Sequence, residues 1–392
     1  MLDKNTLQTP LWPQTKTNVG KINLVAKQQH PSPKNSTSAL PFSKLLYMDK
    51  DLKNKTLDEL AGIVTDLGGE KYLANYIFTF IHSKNTSDIS HISPLSKAFR
   101  NKLSQQGYYI SQLITVRTFT ASDGTIKYLF ELTDGNRIES VLLFDNKRKT
   151  LCVSTQAGCP MNCAFCATAK LKFRRNLTAA EIVDQVITVH KDRHEITNVV
   201  YMGMGEPLKN YDAVLKSLRI LNHPMGKNFG LRHLTISTCG IVPAIEKLAV
   251  EDIHPRLAIS LNAPTDSIRT KLMRINTQYP LTKLFKAVKL YQHKTGLRVT
   301  FEYVLIKNLN DTVLHARMLT RQLRYLKCNV NLIEYNPHLP CQFLPAGKEA
   351  IDRFANILNQ AGIKTTIRLK MGQEINAGCG QLGADWLNNK LL

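Results

Sequence analysis

The sequence predicts an α/β protein: a partial (β/α) barrel of about six βα units, preceded by a small N-terminal helical domain. Three observations carry this. From residue 149 onward, apolar runs of strand length alternate with amphipathic stretches of helix length, and serial βα units fold as a parallel sheet with helices outside. Polar and glycine residues recur at the C-terminal end of five of these runs, the end where chemistry gathers in such folds. Between Leu45 and Gly107 the apolar spacing is instead three to four, the period of helices that pack on one face. Six units are too few for a closed eight-stranded barrel; a doubly wound open sheet is the alternative.

Taken in order, residues 1–42 are rich in Pro, Ser, Thr, Asn, Gln and Lys, and an unstructured extension is expected there because little apolar surface would repay its ordering. Residues 43–108 form the helical accessory domain, with LDELAGIVTDLG, YLANYIFTFIHS and PLSKAFRNKLSQQG as its helices. Residues 109–148 hold TIKYLFELTDG and RIESVLLFD, whose alternation reads as a β-hairpin-like linker. The core is expected over 149–370. Its strands are TLCVSTQ, ITNVVYMG, RHLTIST, RLAISL, RVTFEYVLI and NVNLIEYN, with TTIRLK as a weaker last one. Helices lie between them, the first opening on Thr178-Ala-Ala-Glu181, a capping box. Residues 371–392 are a C-terminal segment.

Charge sets the partner class. The 392 residues carry 52 Lys+Arg against 30 Asp+Glu, a net charge of +22, which favours a polyanion: nucleic acid or an anionic membrane surface. The surplus is spread through the folded-looking segments, with 22 basic and 11 acidic residues in 231–392 alone. Lys170, Lys172, Arg174 and Arg175, with Phe173 among them, border the cysteine-rich loop; Arg317, Arg321 and Arg324 fall on one helical face, more simply a solvated one. No window approaches the ~18 apolar residues of a membrane span. Hydrophobic residues at 43% exclude a wholly disordered chain. Eight cysteines are too few for a disulfide scaffold, no secretory pattern opens the chain, and no Arg precedes Arg100, so a reducing cytoplasmic setting is expected.

Three cysteines crowd together as Cys159-x3-Cys163-x2-Cys166. Three thiolates hold three irons of a [4Fe–4S] cube and leave the fourth open to a chelating ligand. A zinc site completed by Cys152, Cys239 or a histidine is the competing reading of those residues. The other strand ends carry Gly203-Met-Gly205-Glu206-Pro207, Ser237-Thr238-Cys239-Gly240, Ser260-Leu261-Asn262 and Asn336-Pro337. Gly203-Met-Gly205 lacks the third glycine and distal acid of a dinucleotide fingerprint. Cys239, Cys328 and Cys341 read as packing residues, and His190 with His194 as a helix end without a third ligand.

The cysteine spacing, with Phe165 before the last cysteine, resembles the signature of radical S-adenosylmethionine enzymes, and GMGEP resembles their loop for the ligand's amino group. TLCVSTQAGCPMNCAFCATA, RNLTAAEIVDQV, VVYMGMGEPLKNYD, TISTCGIVPAI, AISLNAPTD, NLIEYNP and INAGCGQL together resemble the RlmN/Cfr family of RNA adenine methyltransferases, from about Leu45 to the C-terminus. The resemblance implies one [4Fe–4S] cluster on Cys159, Cys163 and Cys166, and S-adenosyl-L-methionine, two per turnover, bound through Gly205, Glu206, Ser237, Ser260, Leu261, Asn262 and Asn336. It implies Cys379 as an S-methylcysteine carrier, Cys152 as the thiol that resolves the protein–RNA adduct through a transient disulfide, and Glu139 as proton acceptor. Carbon 2 of adenine in 23S rRNA and tRNA is the implied target, with Cfr-type carbon 8 the near alternative and a non-catalytic zinc RNA-binding protein the distant one. A one-electron donor such as flavodoxin, a monomer and no membrane complete the implied setting. Asn262 stands where histidine is commoner, and Met371 and Gln373 where arginine and aspartate are.

Overall fold

The computed structural model describes residues 49–387, apart from positions 193 and 340. The extension expected over residues 1–42 lies outside the described residues. Helices α1 (Leu57–Asp66), α2 (Leu73–His82) and α3 (Lys97–Gln105) form the N-terminal module. Thr56 and Glu59 close a capping box on α1, and Leu60, Val64, Ile77, Phe78 and Ile81 turn inward at helical spacing. The module docks through a buried ion pair, Lys53 Nζ to Asp184 Oδ1 at 2.6 Å.

A ten-stranded sheet follows. Strands β1 (Ile114–Thr120), β2 (Ile126–Glu131), β3 (Arg137–Asp145) and β4 (Arg148–Cys152) pair antiparallel in sequence. The short β5 (Gln156–Ala157) and β6 (Arg175–Asn176) pair apart from it and fix the base of the cysteine loop. Strand β4 then pairs parallel with β7 (Asn198–Tyr201), and β8 (Leu234–Thr238), β9 (Arg256–Ser260), β10 (Val299–Leu305), β11 (Cys328–Glu334) and β12 (Thr365–Ile367) continue in parallel. Helices α4 (Ala179–Lys191), α5 (Tyr211–Asn222), α6 (Val242–Leu248), α7 (Asp266–Leu272), α8 (Leu281–Thr295), α9 (Val313–Leu323) and α10 (Lys348–Gln360) fill the crossovers, and a short α11 (Ala384–Leu387) ends the described chain. The sheet stays open, with β1 and β12 as its edges, so the barrel is partial as expected. No helix among the described residues is long and apolar enough to cross a membrane.

Two of the longer elements were not legible in the sequence. Strand β1 is exposed along nearly its whole length, and its register shifts between Thr115 and Arg117, which puts apolar residues out of phase and erases the alternation. With β1, the segment 109–148 contributes three strands continuous with the main sheet. Helix α7 buries Leu272 alone among its apolar residues, beside the charged Arg269, so its sequence shows no apolar stripe.

Candidate active site

Strand register explains why the barrel has an interior to use. Paired residues in a parallel sheet point to the same side. Leu151, Val199, Leu234, Ile236, Leu257, Ile259, Phe301, Tyr303, Val330 and Leu332 form the buried apolar side under the helices. The opposite side carries Cys152 level with Val200 and Thr235, then Ser237 level with Ala258, then Ser260 level with Glu302 and Asn331. Small and polar residues there leave a half-buried, hydrogen-bonding wall in place of a packed core.

The cysteine loop closes one end of this wall. Cys159, Cys163 and Cys166 are free thiols, and burial, reinforced by their mutual repulsion, holds Cys159 and Cys166 above the ordinary thiol range. Among the described residues no trio of His, Cys, Asp or Glu side chains is drawn round one metal-ligating point; Cys163 Sγ instead lies 3.8 Å from Cys239 Sγ. The loop is tied down on several sides: Ala164 N donates to Leu272 O at 2.8 Å, Ala167 N to Gly380 O at 2.7 Å, and Thr168 Oγ1 to Leu382 O at 2.7 Å.

The loop after β7 packs beneath it. Gly205 has φ +101°, and a Cβ there would stand 2.6 Å from Gln156 Cβ, so only glycine fits. Glu206 is 2% exposed; its carboxylate accepts from Leu208 N at 3.0 Å and Cys239 N at 2.7 Å, stapling this loop to the end of β8. Burial holds that carboxyl above its usual range, the amides opposing it. Leu261 and Asn262 lie behind the wall. Asn262, at φ 58°, accepts from Val304 N at 2.8 Å through Oδ1 and directs Nδ2 at Met273 Sδ, 3.3 Å away. Its left-handed backbone is one asparagine tolerates, and its amide is engaged within the fold.

The C-terminal segment covers the mouth. Cys379 is exposed, yet desolvation by the surrounding protein pushes its thiol up to about 12, with the Arg368 guanidinium opposing and Glu302, Cys166 and Cys152 adding repulsion. Cys152 is likewise pushed up to about 11 by burial, again opposed by Arg368. The two thiols and the cysteine loop thus share one electrostatic neighbourhood. Asn336 Nδ2 donates to Cys379 O at 3.1 Å, and Gln373 Nε2 to Asn336 Oδ1 at 2.7 Å. A Cβ on Gly378 would sit 2.7 Å from Asn336 Nδ2, so the close approach of this loop requires glycine. Gln373, a departure from the commoner residue, is part of what seats the loop.

Glu139 is fully buried under the same segment. Its Oε2 accepts from Gly383 N at 2.8 Å, and Oε1 stands 3.3 Å from Lys127 Nζ, which also binds Asp385 Oδ2 at 2.6 Å. Burial raises the Glu139 carboxyl, Lys127 opposing.

Four residues at this site escaped the sequence reading: Lys127, Glu302, Arg368 and Arg269. Each is a charge inside or beside an apolar run, a pattern that marks buried ionic chemistry but not its partners. Arg368 Nη1 lies 3.8 Å from Glu302 Oε2 and 3.9 Å from Met202 Sδ, so it spans the interior from β12 to the end of β7. One expected phosphate ligand is corrected: Arg175 is committed to Asp134 at 2.5 Å and, through both Nη atoms, to Glu181 at 2.8 Å, so its charge is already balanced by two largely buried carboxylates. Lys170, Lys172, Phe173 and Arg174 remain exposed beside the loop, and Arg317, Arg321 and Arg324 form a solvated face. His190 packs on Phe229 and His194 on Phe144, so the two are occupied separately.

With this geometry in view, comparison with known proteins is direct. Residues 153–318 match the radical SAM superfamily, and residues 50–108 match the ribosomal RNA large subunit methyltransferase N-terminal domain. The chain is 43% identical over 340 residues to a probable dual-specificity RNA methyltransferase RlmN of Thermoanaerobacter sp. (strain X514), covering 87% of this chain and 99% of that one. The chain belongs to the RlmN family. A second RlmN, from Dictyoglomus thermophilum, is 45% identical over 85% of this chain and 97% of its own. The crystal structure of a radical SAM methyltransferase from Sphaerobacter thermophilus superposes with a TM-score of 0.80 at 42% identity, over 85% of this chain and 99% of that one. As an RlmN-family protein, the chain is a SAM-dependent RNA methyltransferase that uses a [4Fe–4S] cluster and two S-adenosyl-L-methionine molecules per turnover. The donor set fits such a group: three unbridged thiols on one anchored loop, next to a wall of small polar residues.

Proposed function

We propose that this enzyme methylates carbon 2 of an adenine in 23S rRNA and in tRNA, with Cys379 as the methyl carrier. The observation that carries the reading is the placement of Cys379: its loop hydrogen-bonds to the cysteine loop through Gly380, and its thiol shares an electrostatic neighbourhood with Cys152 and Cys166. Cys159, Cys163 and Cys166 would hold the cluster; Gly205, Glu206, Ser237, Ser260, Leu261, Asn262 and Asn336 would frame the S-adenosylmethionine. When bound, that pair supplies one electron and a carbon-centred radical, the chemistry a non-nucleophilic ring carbon demands.

The chain's own residues do the rest. Cys379 takes up a methyl group as a thioether and delivers its carbon to the base. Cys152, as its thiolate, then attacks the Cys379 sulfur: an S–S bond forms, the S–C bond breaks, and the carbon on the RNA keeps the electron pair and takes up a proton to become the methyl group. Glu139 accepts a proton near this exchange; its burial favours the protonated form. The base must be unstacked to reach the site, and the exposed Lys170, Lys172 and Arg174 hold phosphates at its rim. A one-electron donor protein such as flavodoxin, a monomeric state and a cytoplasmic setting accompany this reading.

Mass spectrometry of digested rRNA and tRNA from cells with and without the protein tests it. Loss of 2-methyladenosine is expected; loss of 8-methyladenosine would overturn the carbon 2 assignment. Anaerobic purification tests the metal: iron and sulfide are expected, and a colourless zinc protein would refute the cluster on Cys159, Cys163 and Cys166. Cys152→Ala should accumulate RNA covalently attached to protein, and normal turnover without adduct would refute the two-cysteine exchange.

A further inference from the structure

Arg269 is an ionic group without an ionic partner. It lies on α7 and is 0% exposed, the largest fully buried side chain among the described residues. Its guanidinium donates to neutral acceptors: Leu261 O at 3.2 Å, Asn276 Oδ1 at 3.1 Å, Cys239 O at 2.7 Å and Ser260 O at 3.4 Å. No ion pair among the described residues includes it. Asp266, on the same helix, turns its carboxylate to Leu281 N at 2.8 Å. Lys271 on that helix and Arg274 beyond it are exposed and reach water instead.

A guanidinium sealed from water without an anion costs several kcal/mol, so such a residue persists where an anion is normally nearby. Arg269 holds the Cys239 carbonyl, and Cys239 Sγ touches Cys163 Sγ at 3.8 Å. The cation is therefore linked to the Cys163 side of the cysteine loop through one residue, Cys239. Three thiolates on an oxidised iron–sulfur cube leave the assembly anionic, and an added electron makes it more so.

We propose that Arg269 is the buried counter-charge of the iron–sulfur cluster, stabilising its reduced form and so setting how readily it accepts an electron. The proposal rests on ligation of the cluster by Cys163. Arg269 acts through the field it exerts and through its hold on the ends of β8 and β9; it is a positioning residue rather than a catalytic one.

The test is an EPR-monitored redox titration of anaerobically reconstituted holoenzyme, with iron and sulfide measured in every preparation. Arg269→Gln keeps hydrogen-bond donors and removes the charge. It should cut the reduced-to-oxidised ratio at fixed poise by about tenfold, a shift of about 59 mV to more negative potential for one electron. Arg269→Lys keeps the charge and should stay near wild type. Asn276→Asp leaves Arg269 in place and sets a carboxylate where Oδ1 now accepts from it, so the potential should fall here too; this variant decides the matter if Arg269→Gln does not fold. An unchanged potential in fully loaded Asn276→Asp or Arg269→Gln overturns the proposal. Cluster ligation is judged separately: a full cluster surviving in Cys163→Ala would refute the ligand assignment, whatever the potentials.

Discussion

Lys127→Met tests the clamp on the segment that carries Cys379. Lys127 and Glu139 are 1% and 0% exposed, and the lysine stands 3.3 Å from Glu139 and 2.6 Å from Asp385. Methionine fills a similar volume without charge and leaves two carboxylates facing each other away from water. Removing one partner of a buried pair costs roughly 3–5 kcal/mol, and here a single cation serves two anions. The loss should depend on pH. Burial already raises the Glu139 carboxyl, with Lys127 opposing, so removing Lys127 raises the folded-state value further while the unfolded one stays put. Across that widened window the folded state keeps a proton that the unfolded chain has lost, so stability falls as pH rises and returns on acidification. The assay is urea unfolding of anaerobically purified protein from about pH 5 to about pH 8, followed by tryptophan fluorescence, since Trp386 adjoins Asp385. The deficit relative to wild type should be greatest at the alkaline end, and Glu139→Gln with Asp385→Asn in the same background should recover much of it. A deficit equal at every pH, or below about 1 kcal/mol, would refute the buried triad as the source of stability.

Other expectations follow from the same geometry. Gly205→Ala forces a Cβ to 2.6 Å from Gln156 Cβ at a left-handed φ; S-adenosylmethionine affinity by equilibrium dialysis should fall about tenfold or more, and unaltered affinity would count against the loop's role. Cys152 and Cys379, pushed up to about 11 and about 12, should be alkylated slowly at neutral pH, with rates climbing as the solution approaches those values. Arg368→Gln should move both profiles to higher pH, because the guanidinium favours each thiolate; an unmoved profile means Arg368 does not act on them. RNA affinity should weaken steeply with salt, and removing Lys172 and Arg174 together should lower the log–log slope by about two; a flat salt response would contradict phosphate contacts beside the site.

Much of the architecture was written locally. Strand and helix periods, the Thr178–Glu181 capping box and the polar strand ends each depend on neighbours in sequence, and each folds as its pattern indicates. The cysteine spacing is likewise a local message, because three thiols within eight residues need no distant partner to be recognised. The edge strand β1 was lost because a bulge dephases its side chains, and α7 because it turns inward a single apolar residue, Leu272, next to a charged one.

What one line of sequence determined by itself was the repertoire: a βα series, a three-thiol loop, two further candidate thiols and a large positive charge. Only the tertiary structure decided how charges pair, because a buried ion's partner is chosen by packing across the chain rather than by spacing along it. That is why Arg175, which reads as an RNA contact, is spent on Asp134 and Glu181. It is also why Lys127, unremarkable in its strand, anchors a segment 258 residues away, and why Arg269, ordinary in its helix, is a buried cation that joins no ion pair among the described residues.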